Sequence, residues 1–303
     1  MVSLKVFLTL LLSFGQSFTN IFRKLTEKLT AIIKIIRPLN FLITFVSVIV
    51  AAVISFPAKF PELNVFLAAI AASLVMASGN VINDIYDIEI DKINKPLRPL
   101  PSDKVTVKEA YALYFIFIVA SIFISALVNE KALAIVLISI LLLFFYSKFL
   151  KRIPLVGNLT VAFLTGLVFI FGGIAVENPA AAVVPAVFAF LINLIREIIK
   201  DMEDVEGDTK AGVTTFPAKF GSRKSKLFIS LITISLILYT IYPFITQLYK
   251  IEYFVVVMVI VNPILVYCLK ILFEDESVKN LKRISNLLKL SMIFGLFAIF
   301  LGV

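Results

Sequence analysis

The sequence predicts an all-α protein that crosses a membrane several times, and three observations support this fold class. The mean hydropathy is +1.03. Hydrophobic residues make up 60% of the chain and charged residues only 16%, whereas soluble domains average about 25% charged residues. The apolar residues also fall into nine segments, most of them long enough for a helix to cross a hydrocarbon core of about 30 Å.

Each of the nine segments is predicted to be a transmembrane helix, because the bilayer core offers no water to satisfy an irregular backbone. Their predicted bounds are 39–56, 63–83, 107–128, 131–147, 155–176, 180–199, 227–247, 253–272 and 284–302. Residues 1–32 are apolar and then basic, which predicts an N-terminal interfacial extension. Residues 33–303 are predicted to form a single membrane-embedded domain.

The distribution of basic residues predicts the orientation of these helices. With a cytoplasmic N-terminus, all but three of the 29 Lys and Arg fall on the cytoplasmic side, the exceptions being Lys59, Lys131 and Lys250. Cytoplasmic loops of membrane proteins carry such an excess. The net charge of +9 therefore reflects topology, and we expect no nucleic-acid partner. The sequence predicts a multi-pass protein of the cell membrane.

The composition also limits the chemistry available to this chain. It contains no His and a single Cys, so it has no His-based proton relay, disulfide framework or thiolate zinc site. Cys268 lies in an apolar run and is interpreted as a small buried residue. Any metal would have to be held by oxygen ligands, which suit Mg²⁺, Mn²⁺ or Ca²⁺.

Two aspartate trios follow the second and sixth predicted spans, on the predicted cytoplasmic side. The first trio is Asp84, Asp87 and Asp91, and the second trio is Asp201, Asp204 and Asp208. Each member of the second trio follows its counterpart by 117 residues. The spacing of i, i+3 and i+7 predicts that each trio shares one face of a helix.

Three carboxylates on one face repel one another, so cations must compensate for them. Mg²⁺ bound by carboxylates together with substrate phosphates is a usual solution. Two such sites facing each other could hold a diphosphate from both sides and promote cleavage of its C–O bond. Basic and phenolic side chains stand nearby in the sequence: Lys95, Arg98, Tyr146, Lys151 and Lys200.

Four motifs give the chain a resemblance to a known family. They are N-D-x-x-D-x-x-x-D at 83–91, D-x-x-D-x-x-G-D at 201–208, Y-S-x-x-x-K-x-x-P at 146–154 and R-P-x-N at 37–40. Together they resemble the UbiA superfamily of intramembrane prenyltransferases over roughly residues 33–303.

The resemblance implies nine helices around a central cavity with a cytoplasmic-side cap, and ionisation of a polyprenyl diphosphate to an allylic carbocation. It implies that the six aspartates are catalytic and, with Asn83, hold Mg²⁺, predicted as two ions. The substrate-binding residues are predicted to be Arg37, Asn40, Asn80, Asn83, Lys95, Arg98, Tyr146, Lys151, Asn158 and Lys200.

Two runs, 146–176 and 196–217, look most like the archaeal digeranylgeranylglyceryl phosphate synthases of that superfamily. That branch transfers a geranylgeranyl group from its diphosphate to the free hydroxyl of geranylgeranylglyceryl phosphate during ether-lipid synthesis. The expected partners are therefore geranylgeranyl diphosphate, a lipid acceptor and the membrane, with no obligatory protein partner.

Alternatives to this function remain at the level of the sequence. Prenylation of an aromatic acceptor such as 4-hydroxybenzoate or dihydroxynaphthoate, as in quinone synthesis, would use the same aspartates. A membrane transporter is an alternative of another class, but transporter acids usually lie near the membrane midplane. Here they cluster at one interface. A lipid phosphotransferase of the CDP-alcohol type is disfavoured because its D-G-x-x-A-R motif is missing at Asp84 and Asp201.

Overall fold

The computed structural model describes residues 22–23, 25–59, 61–210 and 212–303. Throughout this part of the chain the regular structure is helical and no strand occurs. Nine of its helical segments are long and apolar enough to cross a membrane. The prediction of an all-α, nine-span membrane protein is confirmed.

The spans begin and end close to the predicted bounds. They are α2 (Pro38–Ser55), α3 (Leu63–Tyr86), α5 (Val107–Val128), α6 (Glu130–Lys148), α7 (Val156–Ala175), α8 (Val183–Glu203, after a 3₁₀ turn at Pro179–Ala182), α10 (Phe216–Ile245), the pair α11 (Ile251–Val256) and α12 (Asn262–Glu274) joined by a π-helical turn, and α13 (Val278–Gly302). Short helices α4 (Ile88–Asn94) and α9 (Val205–Lys210) follow α3 and α8.

The largest difference from the predicted bounds is at the seventh span. Helix α10 begins at Phe216, well before the predicted residue 227, and is kinked at Gly221, where φ is 81°. Hydropathy marks only the apolar part of a helix, whereas hydrogen bonding continues into the polar segment beyond the hydrocarbon core. The same reason explains why α13 begins at Val278, where Ser277 caps the first turn.

The 117-residue spacing of the two trios extends to the whole architecture. Helices α3 and α8 end at Tyr86 and Glu203, and α5 and α10 end at Val128 and Ile245, again 117 residues apart. The backbone angles repeat as well: Asp87 has φ −98° and ψ 4°, and Asp204 has φ −98° and ψ 5°. The chain is therefore two parallel repeats followed by α13.

Each trio, predicted to share one face of a helix, extends over two helices. The helix breaks at the middle aspartate of each trio, between α3 and α4 and between α8 and α9. Asp87 ends one run of i→i−4 hydrogen bonds and begins the next, since its N–H binds the Asn83 carbonyl and its carbonyl accepts from Asp91 N–H; Asp204 does the same with Lys200 and Asp208. Neither Gly nor Pro lies next to Asp87, so the sequence does not predict this bend.

The two helices that carry the trios lie deepest in the bundle. Within their most apolar windows, 61% of α3 and 56% of the sixth span are buried, compared with 22% of α5. Other helices of the bundle also approach each other closely. A Cβ at Gly172 of α7 would lie 2.4 Å from the Val48 carbonyl of α2. Small residues allow this kind of backbone contact in membranes.

Successive spans pack against one another, and the last span closes the arrangement by contacting both α2 and α8. Large apolar side chains on the outer faces remain exposed, as at Phe115, Val119 and Phe123 of α5. A lipid environment covers such a surface at no cost. The aspartate-bearing ends of α3 and α8 lie on the same side of the bundle, since α4 contacts α9.

Residues 25–36 form helix α1, which packs beneath the first trio. Ala31 and Ile35 are buried in one cluster with Val81 and Ile85 of α3, and Lys28 forms an ion pair with Glu109 of α5. The predicted boundary of the extension after residue 32 falls inside this helix, and residues 1–21 and 24 lie outside the described residues.

Candidate active site

The two trios meet because the short helices that follow α3 and α8 pack directly on each other. A Cβ placed on Gly207 of α9 would lie 1.7 Å from the Asn94 side-chain oxygen at the end of α4. Only a residue without a side chain allows this approach. Across the same contact, Lys95 donates a 2.5 Å hydrogen bond to the carboxylate of Asp204. A cation from the first repeat therefore binds the second trio.

The first trio is held by two arginines. Asp84 and Asp91 are each only 3% exposed. Arg98 donates from Nη1 to Asp91 at 2.5 Å and to Asp84 at 3.2 Å, and Arg37 forms an ion pair with Asp84. Charge-assisted bonds of this kind are the strong class of protein hydrogen bonds, and they compensate for the burial of two carboxylates.

Arg37 reaches Asp84 from a constrained turn between α1 and α2. Its φ is 57°, in the left-handed region that non-glycine residues seldom occupy, and Pro38 begins α2. The Asn80 amide donates to the Ile36 carbonyl at 3.3 Å and so holds this turn on α3. Asn80 therefore faces the turn rather than the carboxylates, and Asn40 lies in the first turn of α2 with a backbone bond to Arg37.

Asp87 is bound by residues from two directions. Lys151 forms an ion pair with it, and Asn83 donates to its other oxygen at 2.7 Å. Lys151 stands in a tight loop before α7, where Leu155 has a φ of 69°. A Cβ on Gly157 would lie 2.8 Å from the Lys151 Cα. The loop is therefore pressed onto the start of α7, and this contact fixes the Lys151 backbone beside Asp87.

The second trio has fewer cationic partners than the first. Asn158 of α7 donates to Asp201 at 2.7 Å, and Lys95 binds Asp204. The Asp208 side chain makes no hydrogen bond to any described residue; its electrostatic neighbours are Asp204, Lys95, Asp87 and Lys151. Of the predicted residues, Tyr146 lies within electrostatic reach of Glu197 and Asp201, and Lys200 binds Glu197.

Burial and repulsion between carboxylates shift the pKa values of acidic side chains on α4 and α9, the short helices that lie beyond the spans. Burial, followed by the charge of Asp204, raises the pKa of Asp208 to about 6. Burial also raises the pKa of Asp91, although Arg98 opposes the shift. The pKa of Arg98 is raised by Asp84 and Asp91, which outweigh its own burial. The site thus carries more negative charge than its cations neutralise.

The donor set fits a divalent metal. The Asn83 side-chain oxygen is buried without a hydrogen-bond partner beside Asp87, and Asp208 has a raised pKa. Carboxylate and amide oxygens are the ligands that Mg²⁺ prefers. In the part of the chain that the structure describes, no three acidic side chains lie close enough to enclose one ion, because lysines and arginines hold the carboxylates instead.

A pocket of about 440 Å³ opens beside the first trio. It is lined by Lys34, Arg37, Asp84 and residues 94–99. Lys34 and Asn94 were not predicted as site residues, and neither were Asn193, Arg196, Glu197 and Lys289 around Lys200. Asn94 lies next to Gly207 of a predicted motif only in the folded structure, so no sequence pattern indicates it. Glu197 did carry a signal, since an acid within an apolar span is usually functional.

The chain is similar to characterised proteins along most of its length. The UbiA prenyltransferase family profile matches residues 44–293. Digeranylgeranylglyceryl phosphate synthase of Methanococcus aeolicus is 38% identical over 237 residues, covering 76% of this chain and 84% of that protein. The enzyme of the same name from Methanocaldococcus jannaschii is 36% identical over 244 residues, covering 79% and 84%.

Solved structures show the same fold. One, concerning digeranylgeranylglyceryl phosphate synthase in membranes, has a TM-score of 0.74 and 34% identity, and covers 91% of this chain and 98% of its own. A UbiA homologue from Archaeoglobus fulgidus bound to GPP and Mg²⁺ has a TM-score of 0.63 at 19% identity, covering 89% and 99%. The fold, the trios and the family profile agree, and the chain belongs to the UbiA prenyltransferase family.

Proposed function

We propose that this protein transfers a geranylgeranyl group from geranylgeranyl diphosphate to the free hydroxyl of geranylgeranylglyceryl phosphate, as a digeranylgeranylglyceryl phosphate synthase. The observation that carries the proposal is the paired site itself. The two aspartate trios are joined by the Lys95–Asp204 bond, and Arg98 and Lys151 form ion pairs with the first trio. The archaeal relatives at 32–38% identity support this choice of acceptor.

In this proposal the basic side chains that bind aspartates in the structure bind the diphosphate when the donor is present. Lys95, Arg98 and Lys151 each reach a trio aspartate and stand around the place where a diphosphate would lie between the trios. Two Mg²⁺ ions held by the six aspartates and Asn83 would supply Lewis-acid neutralisation of the diphosphate. Once the carboxylates have metal partners, the lysines and Arg98 are free to turn to phosphate oxygens.

The reaction breaks the bond between C1 of the prenyl chain and the diphosphate oxygen, and the electron pair leaves with the diphosphate. The acceptor hydroxyl oxygen then forms the new ether bond to C1, and its proton passes to a carboxylate, a water or the released diphosphate. Lys151 and Arg98 stabilise the charge that develops on the leaving group. Burial of Asp84 and Asp91 keeps this region poorly solvated and strengthens those interactions.

The proposed enzyme faces the cytoplasm. The basic residues support this orientation, since only Lys59, Lys131 and Lys250 stand on the opposite side. Both trios then open to the cytoplasm, where a water-soluble diphosphate product can leave. Residues 33–303 act as one membrane domain in this proposal, and helix α1 belongs to it because Ala31 and Ile35 pack on α3.

The raised pKa of Asp208 predicts a pH-dependent metal affinity. Above about pH 6 the carboxylate is ionised and can bind a cation, whereas below this pH a proton occupies it. We expect the affinity for Mn²⁺, measured by electron paramagnetic resonance without diphosphate, to fall by up to about tenfold per pH unit below pH 6. Asp208→Asn should bind more weakly and show a shallower pH dependence, because Asp91 also has a raised pKa. An affinity of the unmodified protein that is constant between about pH 5 and 7.5 would contradict the prediction.

An acceptor screen tests the proposed function directly. Purified protein with geranylgeranyl diphosphate and Mg²⁺ is given geranylgeranylglyceryl phosphate, 4-hydroxybenzoate or dihydroxynaphthoate, and the products are identified by mass spectrometry. We expect a diether phosphate from the first acceptor alone. A product from an aromatic acceptor alone would instead place this enzyme in quinone synthesis. No product and no diphosphate release with any acceptor would overturn the prenyltransferase proposal.

A further inference from the structure

A second polar cluster lies on α8, one turn deeper in the membrane than Asp201, and the donor site does not use it. We call it the Glu197 cluster and define it as Asn193, Arg196, Glu197, Lys200 and Lys289. The first four residues are spaced at i, i+3, i+4 and i+7 and so share one face of α8. Lys289 comes from α13, which packs against α8.

Positive charge is in excess in the Glu197 cluster. Glu197 is 6% exposed and accepts from Lys200 at 2.9 Å and from Arg196 at 3.2 Å. Lys289 is the third cation and lies within electrostatic reach of Arg196, Lys200, Arg37 and Glu197. It has no ion pair with any described residue. One carboxylate cannot neutralise three cations, so the cluster has the charge to bind an anion.

Two buried donors in the cluster have no partner. The Asn193 side-chain nitrogen and the Arg196 Nε are both inaccessible to solvent and make no hydrogen bond to any described residue, and Asn193 as a whole is 6% exposed. A buried donor left unsatisfied usually costs about 1–3 kcal/mol. Native proteins rarely tolerate two of them side by side unless a ligand completes the bonding.

The position of the cluster indicates which anion it binds. Four residues along a helix correspond to about 6 Å, so Glu197 lies about this distance from Asp201. Tyr146 lies within electrostatic reach of both acids. The donor diphosphate is already provided for by both trios and by Lys95, Arg98 and Lys151. The remaining anion of the reaction is the phosphate of the acceptor, which stands one carbon away from the hydroxyl that must reach the prenyl C1.

We propose that Asn193, Arg196, Lys200 and Lys289 bind the phosphate monoester of the acceptor, and that Glu197 holds Arg196 and Lys200 in place for it. This inference rests on the proposed function, because it requires a phosphorylated lipid acceptor. The cluster makes the phosphate the specificity element of the acceptor: binding the phosphate holds the hydroxyl beside the prenyl carbon, so an acceptor without a phosphate reacts more slowly. Glu197 acts as a positioning residue.

The test compares two acceptors in two variants. Lys289→Met removes a cation that has no carboxylate partner, and Asn193→Leu replaces the unsatisfied amide by an apolar side chain of similar volume. Initial rates are measured with geranylgeranylglyceryl phosphate and with geranylgeranylglycerol, which lacks the phosphate, at saturating geranylgeranyl diphosphate and Mg²⁺. Lys282→Met is the matched control, since Lys282 is exposed on the same helix α13.

We expect each variant to raise the KM for the phosphorylated acceptor by about 10- to 100-fold, the range of a lost hydrogen bond to a charged group. The KM for the donor and the rate with the unphosphorylated acceptor should change less than about twofold. Thermal unfolding should show Asn193→Leu to be at least as stable as the unmodified protein, because it loses an unsatisfied polar group. Lys282→Met should behave like the unmodified protein in every assay.

Contrary outcomes separate this inference from the proposed function. If the unmodified protein turns over geranylgeranylglyceryl phosphate and both variants keep its KM, the phosphate site is wrong and the proposed function stands. If the KM for the donor rises instead, the cluster binds the diphosphate and the inference is overturned. If the unmodified protein makes no diether phosphate at all, the proposed function fails and this inference fails with it.

Discussion

Replacing Asp87 or Asp204 by asparagine is expected to lower turnover by about 1000-fold. These two residues occupy equivalent positions in the two repeats, with nearly identical backbone angles at the break that ends each span. Asp87 binds Lys151 and Asp204 binds Lys95. Each lysine would be released when its carboxylate binds a metal. Asparagine keeps the size of the side chain and one oxygen but removes the charge that holds the metal.

The repeat supplies matched controls for both substitutions. Glu89 and Glu206 are equivalent exposed acids on α4 and α9, paired with Lys92 and Lys210 in the next turn. Glu89→Gln and Glu206→Gln should therefore change turnover less than about twofold, because exposed ion pairs contribute little. Rates are followed by diphosphate release, and thermal unfolding shows whether each variant remains folded. Full Mg²⁺-dependent activity in both Asp variants would show that the two trios take no part in the reaction.

Substituting alanine for Gly207 is expected to lower turnover by about 100-fold while the membrane bundle stays folded. The added Cβ would lie 1.7 Å from the Asn94 side-chain oxygen and 2.2 Å from its Cγ, so the whole Asn94 side chain must leave this contact, and we expect α4 and α9 to separate. That separation moves Asp208 away from the first trio and lengthens the Lys95–Asp204 bond. Displacements of about 1 Å in a catalytic arrangement can cost about 100-fold in rate. The spans themselves are unaffected, because α9 lies outside them.

The control is Gly295→Ala on α13, where an added Cβ meets nothing within 4 Å. It should leave turnover unchanged and raise thermal stability slightly, because alanine is a better helix former than glycine. Combining Gly207→Ala with Asn94→Ala removes the atom that the new Cβ would meet. Gly207→Ala should therefore lower turnover much less in the Asn94→Ala protein than in the unmodified protein. Equal losses in both backgrounds would mean that this contact does not hold the trios together.

The sequence alone was sufficient for the fold class, and it limited the side chains that could bind a metal. Hydropathy identifies each span, because a bilayer requires long apolar helices and tolerates few alternatives. The absence of His and the presence of a single Cys leave oxygen donors as the possible metal ligands. The 117-residue interval between the trios pointed to a repeat. These inferences rest on composition and local spacing, which folding does not change.

Other features depended on contacts between residues far apart in the chain. The break at Asp87 has no local signal, and the repeat outside the trios is visible only in the matching helix ends and backbone angles. Asn80 shares the helical stripe of the trio in sequence, yet its amide binds the Ile36 carbonyl. A helical spacing predicts which face a residue occupies, but not which neighbour packs there.

A nine-span membrane protein with two acidic motifs can therefore be predicted from the amino-acid sequence, because hydropathy and spacing are properties of single segments. The folded structure, by contrast, selects which cation binds which carboxylate: Lys95 follows the first motif in the chain but binds Asp204 of the second. It also brought Lys289 from α13 to Arg196 and Lys200 of α8. Such pairings arise from how the helices pack, and charged side chains at a membrane interface have many possible partners until packing selects one.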